Sequence, residues 1–399
     1  MLNDQQLDRY ADVLLWGIRT ARTRKYNKND IVLIQYDLSA LGLCERLFEK
    51  ILDAGMHPVQ RINAGKRMEK SFYEHASARQ LEFHPPGQKE LYHHLNASIH
   101  LLGPESITHL ADVDPKKIAR ALISRKPLRD ILTRREEEGL YGWTLCMSPT
   151  GELARHARMS LNEYAGQIAR ACFLDSEDPV AQWKEIHKNA GAIKKWLNRM
   201  KVQSYRVESK STDLVITPGE KRRWIGISGH NIPSFELFMS PDWRGTEGIY
   251  FADQPSFRNG NYVEKVRLEF KKGAVVSAEA QTGGNFLKTQ LAMDKGANKL
   301  GEFSLTDIRF SKIDRFMANT LYDENFGGAN GNCHVAVGAS YSDTYDGDPK
   351  ELTPETKKAL GFNDSALHWD LVNTEPKRVT ARLVSGRTVT IYENGKFAC

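Results

Sequence analysis

The sequence predicts two domains: an α/β domain with a mostly parallel sheet over residues 1–201, then an α+β domain rich in antiparallel strands over 202–399. Three observations predict this. Apolar strand patterns and helix patterns take turns through the first half, which is the grammar of strand–helix–strand units. Strand patterns follow one another through the second half, with hairpin signals between them. And the 399 residues supply enough chain for two or three cores of about 150 residues each.

The elements follow in order. "DIVLIQYDL" (30–38) is an apolar, β-branched run and reads as the first strand. "SALGLCERLFEKILDAG" (39–55) has apolar residues at helical spacing and stops at Gly55. "HPVQRINA" is the next strand, and the unit then repeats: "ASIHLLG" precedes the helix "DPKKIARALISRK", and "GWTLCMSP" precedes "GELARHARMSLNEYAGQIARACF". A helix over 178–201 closes this half. No GxGxxG follows the first strand and no GxxxxGKS or GxxxxGKT occurs, so the rhythm carries no nucleotide-binding signature. Beyond it, "SYRVESKSTDLVITPG" and "RRWIGISGHNIP" alternate polar and apolar residues as strands do. "VEKVRLEFKKGAVVSAEA" (263–280) is a hairpin pattern turning at "KKG", and "RVTARLVSGRTVTIYENGKF" supplies another. One helix pattern, "GNFLKTQLAMDKGANKLG" (284–301), interrupts the strands.

Composition narrows the class. Hydrophobic content of 40% and charged content of 27% fit a soluble globular protein. No apolar run approaches the roughly 18 residues of a membrane span. The start, "MLNDQQLDRYADVLLWG", lacks the basic head of a secretory signal, which points to the cytoplasm. The net charge is +6, and its densest basic pieces, 116–135 and 194–201, read as solvated helix faces with no nucleic-acid module behind them. Five scattered cysteines (Cys44, Cys146, Cys172, Cys333, Cys399) form no CxxC pair. They indicate reduced thiols rather than a disulfide frame or a cysteine zinc site.

Chemistry-bearing residues gather in the second half. "SALHWD" (365–370) sets His368 and Asp370 two positions apart, so in a strand both leave one face while Trp369 leaves the other. Such a pair either hydrogen-bonds within a packed surface or reaches one metal ion, which accepts this mix of donors. Glu236 in "NIPSFELFMSP" and Glu302 in "KLGEFSLTD" have apolar neighbours, where an unpaired buried carboxylate is costly. Glu324 and His334 share "LYDENFGGANGNCHVAVG", and Tyr341 follows in "GASY". Gly327, Gly328 and Gly331 let the backbone turn tightly beside a buried ion. Taken singly, each has a plainer role: Glu236 as a strand-edge surface carboxylate, Glu302 as a cap or lysine partner, Glu324 in a turn, His334 as a hydrogen-bonded core histidine, Tyr341 in packing. Taken together, three glutamates, two histidines and one aspartate make the ligand set of a paired divalent site.

The segments "NIPSFELF", "LGEFSL", "LYDEN…HVAVGASY" and "SALHWDLV" stand in an order and spacing that resembles the M29 family of metallo-aminopeptidases. The resemblance covers residues 210–375, and the first half agrees in architecture and length. It implies Glu236, Glu302, Glu324, His334, His368 and Asp370 as metal ligands, with Tyr341 at or near the metals. It also implies short peptide substrates and a homodimer. One departure is the nine-residue stretch "NFGGANGNC" between Glu324 and His334, longer than in some members.

On that reading the chain holds two divalent cations (zinc, cobalt or manganese), which share a water and lower its pKa toward neutrality. The hydroxide bridging them attacks the first peptide carbonyl. Glu302 or Glu324 carries the proton to the leaving amine, and Tyr341 hydrogen-bonds the oxyanion. Two rivals remain at this level. His334, His368 and Asp370 are also the 2-His-1-carboxylate set of a mononuclear Fe(II) oxygenase, and ring-cleaving dioxygenases of dihydroxypyridines resemble the same fold family. A non-catalytic binding protein on the same fold is the other.

Overall fold

The computed structural model describes residues 1–399, the side chain of Lys350 excepted. The chain divides into two compact units. One comprises Met1–His187, Ile227–Ser234 and Met317–Leu321; the other comprises Lys188–Gly226, Phe235–Phe316 and Tyr322–Cys399.

The first unit is built on four parallel strands, in the order His57–Ile62, Ile31–Tyr36, Ala97–Leu102, Gly142–Met147. Parallel strands are covered on both faces, and the strand Ala97–Leu102 is buried along most of its length. Its helices depart from the expected ones at two places. Helix Pro115–Glu137 runs on through Pro127, because Pro127 sits on an exposed face and the next turn buries Leu128. The pattern 151–173 splits into helices Gly151–His156 and Leu161–Ala171, with Arg158 at φ +56° between them. A capping box of Ser160 and Glu163 starts the second of these helices.

The second unit carries two larger sheets. The first is eight-stranded and antiparallel. Its order is Ala274–Glu279, Val266–Lys271, Glu247–Ala252, Asp213–Ile216, Val202–Ser209, Lys377–Leu383, Thr388–Glu393, Lys396–Phe397. The hairpin expected at "KKG" forms there, with Lys272 at φ +50° and Gly273 at +78°, the double positive φ of a two-residue hairpin turn. Two expectations fail nearby. Residues 222–233 form no strand, only isolated bridges at Arg222, Ile225 and Asn231, because Gly226 (φ +135°), Ile227 (+52°) and Gly229 (+88°) break the extended run. The helix expected over 284–301 ends at Leu291; Asp294 then accepts hydrogen bonds from the Gly296 and Ala366 amides, which ties that segment as a loop.

The other sheet has four antiparallel strands, in the order His368–Asn373, Asn332–Gly338, Leu300–Thr306, Glu236–Met239. Alternation sorts its side chains onto two faces. Leu237, Met239, Phe303, Leu305, Cys333, Val335, Val337, Trp369 and Leu371 share one face and are buried. Burial of each large apolar side chain contributes about 1.5–3 kcal/mol. This face meets the eight-stranded sheet: Tyr205 and Trp224 pack on Phe303, and the Tyr250 hydroxyl donates to the carbonyls of Cys333 and Leu371. The opposite face carries the polar groups. Among the described residues no helix is long and apolar enough to cross a membrane.

Candidate metal centre

Register places the ligand candidates. His334 pairs with Ser304 and Val372, Ala336 with Glu302 and Asp370, and Gly338 with His368, while Glu236 pairs with Thr306. Glu236, Glu302, His334, His368 and Asp370 therefore project from one face of the four-stranded sheet. Small side chains at Ala336 and Gly338 leave room above the middle strand. A bulge does the rest. Leu300 pairs with Val337 but Glu302 pairs with Ala336, so Gly301 is an extra residue. It lets Leu300 serve the apolar face and Glu302 the polar one. A Cβ at Gly301 would lie 2.3 Å from the Ala339 carbonyl oxygen.

The groups converge closely. His334 Nε2 lies 3.1 Å from Glu236 Oε2, 3.1 Å from Glu302 Oε1 and 3.9 Å from Asp370 Oδ1. His368 Nε2 lies 3.3 Å from Asp370 Oδ1 and 3.6 Å from Glu302 Oε2. Glu236, Glu302 and His334 are 4%, 3% and 1% exposed, so the surface-carboxylate role for Glu236 is excluded although its strand is an edge. Glu302 sits within a strand, which excludes the helix-cap role.

Glu324 and Tyr341 come from outside the sheet face. Glu324 follows the helical turn Thr320–Asp323 and is buried. Its carbonyl accepts from Asn332 Nδ2 at 2.9 Å and Thr306 Oγ1 at 3.2 Å, which anchors the loop that follows it. Its carboxyl feels Asp370, Glu236 and Glu302 but belongs to neither close ligand group. Tyr341 is half-buried; its ring lies 4.6 Å from that of His368 and 5.9 Å from that of Phe238.

Electrostatics show what the cluster lacks. Burial pushes the Glu302 carboxyl up to about 7, with His334 opposing and Glu236 adding to the rise. Glu324 is driven well above the usual carboxylate range by burial and then by Asp370 and Glu236. Burial pulls both imidazoles down, yet the carboxylates outweigh it and hold His334 well above, and His368 above, the usual histidine value. Asp370 is held down at about 2: burial raises it, but His368, His334 and Arg258 prevail. Without a cation, Glu302, Glu324 and the two imidazoles hold protons more tightly than usual.

The residues fit a divalent metal. Two groups each bring their ligand atoms within 4.8 Å of one another: Glu236, Glu302 and His334, and Glu302, His368 and Asp370. Glu302 is common to both. His368 Nδ1 faces the Ala339 carbonyl at 2.8 Å. Donating there, it fixes the tautomer that leaves the Nε2 lone pair facing the carboxylates, the usual second partner of a ligating histidine. His334 turns its Nε2 to Glu236 and Glu302, while its Nδ1 is buried with no hydrogen-bond partner.

Carboxylates and imidazoles gathered on a buried sheet face are the makings of a metal-dependent enzyme. The chain belongs to the thermophilic metalloprotease family M29, whose model matches residues 3–397. It is 30% identical over 243 residues to aminopeptidase PepS of Streptococcus thermophilus, 57% of each chain. It is 28% identical over 322 residues to aminopeptidase 2 of Geobacillus stearothermophilus, 75% of each. The match thus spans little more than half the length of PepS. Wild-type AmpT from Thermus thermophilus has the same fold, with a TM-score of 0.78 at 20% identity over 98% of this chain and 99% of that one. The expected fold class, parallel α/β followed by antiparallel α+β, is the one this chain adopts.

Sequence reasoning missed several residues here. Ser304 donates to Glu236 Oε2 at 2.8 Å. Asn325 accepts from the Phe235 amide at 2.5 Å. Ser304 carried a readable signal, since it stands two residues from Glu302 and so shares its face. Asn325 carried none, because its partner is 90 positions away.

Proposed function

We propose that this protein is a metal-dependent aminopeptidase that removes N-terminal residues from short peptides, using two divalent cations per chain. The observation that carries the reading is that Glu302 belongs to both ligand groups, as a carboxylate between two cations does. Charge supports it: Glu236, Glu302, Glu324 and Asp370 with two neutral imidazoles total four negative charges, which two divalent cations balance. Glu236 and His334 would hold one cation, His368 and Asp370 the other, and Glu302 both. The donor set suits zinc, cobalt or manganese. Bound there, the cations would supply Lewis-acid polarisation of a peptide carbonyl and would lower the pKa of a bound water toward neutrality.

The chain's own residues then divide the remaining work. Glu324 lies beside both groups and in neither, and its raised pKa suits a carboxyl that takes a proton and returns it to the leaving amine. Tyr341, protonated because burial and the neighbouring carboxylates raise its pKa, is the hydrogen-bond donor for the oxyanion. A cytoplasmic homodimer completes the proposal.

The iron-oxygenase reading has one supporting fact, that His334, His368 and Asp370 do meet. It leaves Glu236 and Glu302, each 3.1 Å from His334, with no role. Metal analysis of the loaded protein tests the choice, together with turnover of leucine p-nitroanilide before and after chelation. Two cations per chain and chelator-sensitive release of the anilide are expected. One iron with oxygen uptake on a dihydroxypyridine would replace the proposal.

A further inference from the structure

We propose that Ser304 is a positioning residue of this centre: its hydroxyl fixes the Glu236 carboxylate and so sets the affinity for a divalent cation between Glu236, Glu302 and His334. The inference rests on the metal-centre reading above.

Ser304 is fully buried on one of the two inner strands of the site sheet. It pairs with His334 on one side and Phe238 on the other, and shares the polar face with Glu302. Its Oγ donates to Glu236 Oε2 at 2.8 Å; the alternative acceptor, the Leu237 carbonyl, is at 3.5 Å. The same Oε2 lies 3.1 Å from His334 Nε2. Serine is a poor residue for this place by ordinary strand criteria: it is not among the strand formers, and burying a hydroxyl is costly unless it is hydrogen-bonded. What a serine adds is one donor aimed at one carboxylate oxygen.

That donor matters because a glutamate has three rotatable bonds and two equivalent oxygens. A charge-assisted hydrogen bond selects one rotamer and one carboxylate plane before any cation arrives. Ligands held in this way bind metal more tightly, and losing such a partner typically weakens affinity about 10–100-fold. The second group has its own orienting contact, from His368 Nδ1 to the Ala339 carbonyl, and the Ser304 hydroxyl makes no hydrogen bond to it. Removing the hydroxyl therefore acts on one position and spares the other.

The experiment is a zinc titration of the full chain against a chromogenic chelator, paired with the visible spectrum of the cobalt-loaded protein. In Ser304→Ala, one of the two cations binds about 10–100-fold more weakly and its cobalt absorption changes, while the other stays within about twofold. A general loss of structure would weaken both, so selectivity separates positioning from damage. If Ser304→Ala does not fold, Ser304→Cys, similar in size but only a weak donor, is read in the same way. A folded variant that binds both cations with wild-type affinity overturns the role of Ser304 and leaves the centre standing. A wild-type chain that binds no divalent cation overturns both.

Discussion

The parallel sheet of the first unit and the antiparallel sheet of the metal centre each have four strands, and each carries a histidine on an inner strand. His100 lies on the strand Ala97–Leu102 with Ser98 Oγ 3.0 Å from its Nε2 and no carboxylate beside it. Burial alone pushes its pKa down to about 4, so it is neutral at physiological pH. His334 is buried more completely, yet its pKa moves the other way because Glu236 and Glu302 face it. Desolvation has the same sign in both sheets; the partners decide the outcome. A sheet built only for packing keeps its imidazole uncharged. The other sheet gathers more buried carboxylate than its imidazoles neutralise, which is the condition a cation would relieve.

Glu302→Gln breaks this contrast most severely. It keeps the shape and removes the charge shared by both ligand groups. Metal catalysis supplies several kcal/mol of transition-state stabilisation, so kcat/KM on leucine p-nitroanilide should fall at least about 10³-fold. Far-UV circular dichroism should be unchanged. Full activity at reduced metal content would place the chemistry elsewhere. Tyr341→Phe comes next. A lost oxyanion donor costs about 10²–10³-fold in kcat, with KM little changed if the contact forms only in the transition state. A rise in KM at constant kcat would make Tyr341 a binding residue instead.

How much of this was legible follows from the range of each signal. The parallel sheet read well because each strand and its helix are local patterns of about ten residues. Of the seven candidate residues, Glu236, Glu302, His334, His368 and Asp370 come together on one sheet face, while Glu324 and Tyr341 approach from outside it. What stayed hidden depends on the third dimension. Alternation alone would put Leu300 and Glu302 on one face, and only the bulge at Gly301, set against the Ala339 carbonyl, turns them to opposite ones. The failed strand at 222–233 is similar: its alternation is real, but Gly226 approaches the Glu236 backbone so closely that a Cβ would lie 2.1 Å from the Glu236 carbonyl oxygen. Close backbone approach leaves no periodic trace in a sequence.

The two sheets also differ in how pH should act on the metal-free protein. Folding raises the Glu302 carboxyl from 4.5 to about 7 and raises His368 from 6.5. The folded chain therefore binds more protons than the unfolded one from about pH 4.5 upward through these raised values, and stability falls as pH rises there. Asp370, lowered to about 2, acts with the opposite sign but only in acid, below its ordinary 3.8. His100, lowered to about 4, contributes stability that grows with pH and is complete above its ordinary 6.5. Melting of the chelated protein should thus weaken between pH 5 and 7 in wild type. Glu324, also raised, adds to the fall and His100 offsets part of it, so Glu302→Gln should lose the Glu302 share of that slope, and saturating zinc should remove the share of the site groups by replacing their protons. Identical pH slopes in the chelated wild type and Glu302→Gln would mean that Glu302 is not held protonated.

Ile99→Val is the smallest change and the sharpest control. Ile99 is fully buried on the same strand as His100, and the substitution removes one methylene from a parallel-sheet core. Such a deletion costs about 0.5–1.5 kcal/mol, part lost transfer energy and part residual cavity. For a chain of this size that is a shift of only a few degrees in Tm. The substitution lies in the other unit and changes none of the candidate ligands, so zinc affinity and kcat/KM should stay at wild-type values. A fall in either would show that packing in the parallel sheet sets the geometry of Glu302 and its neighbours. The division of labour between a sheet that packs and a sheet that gathers charge would then be wrong.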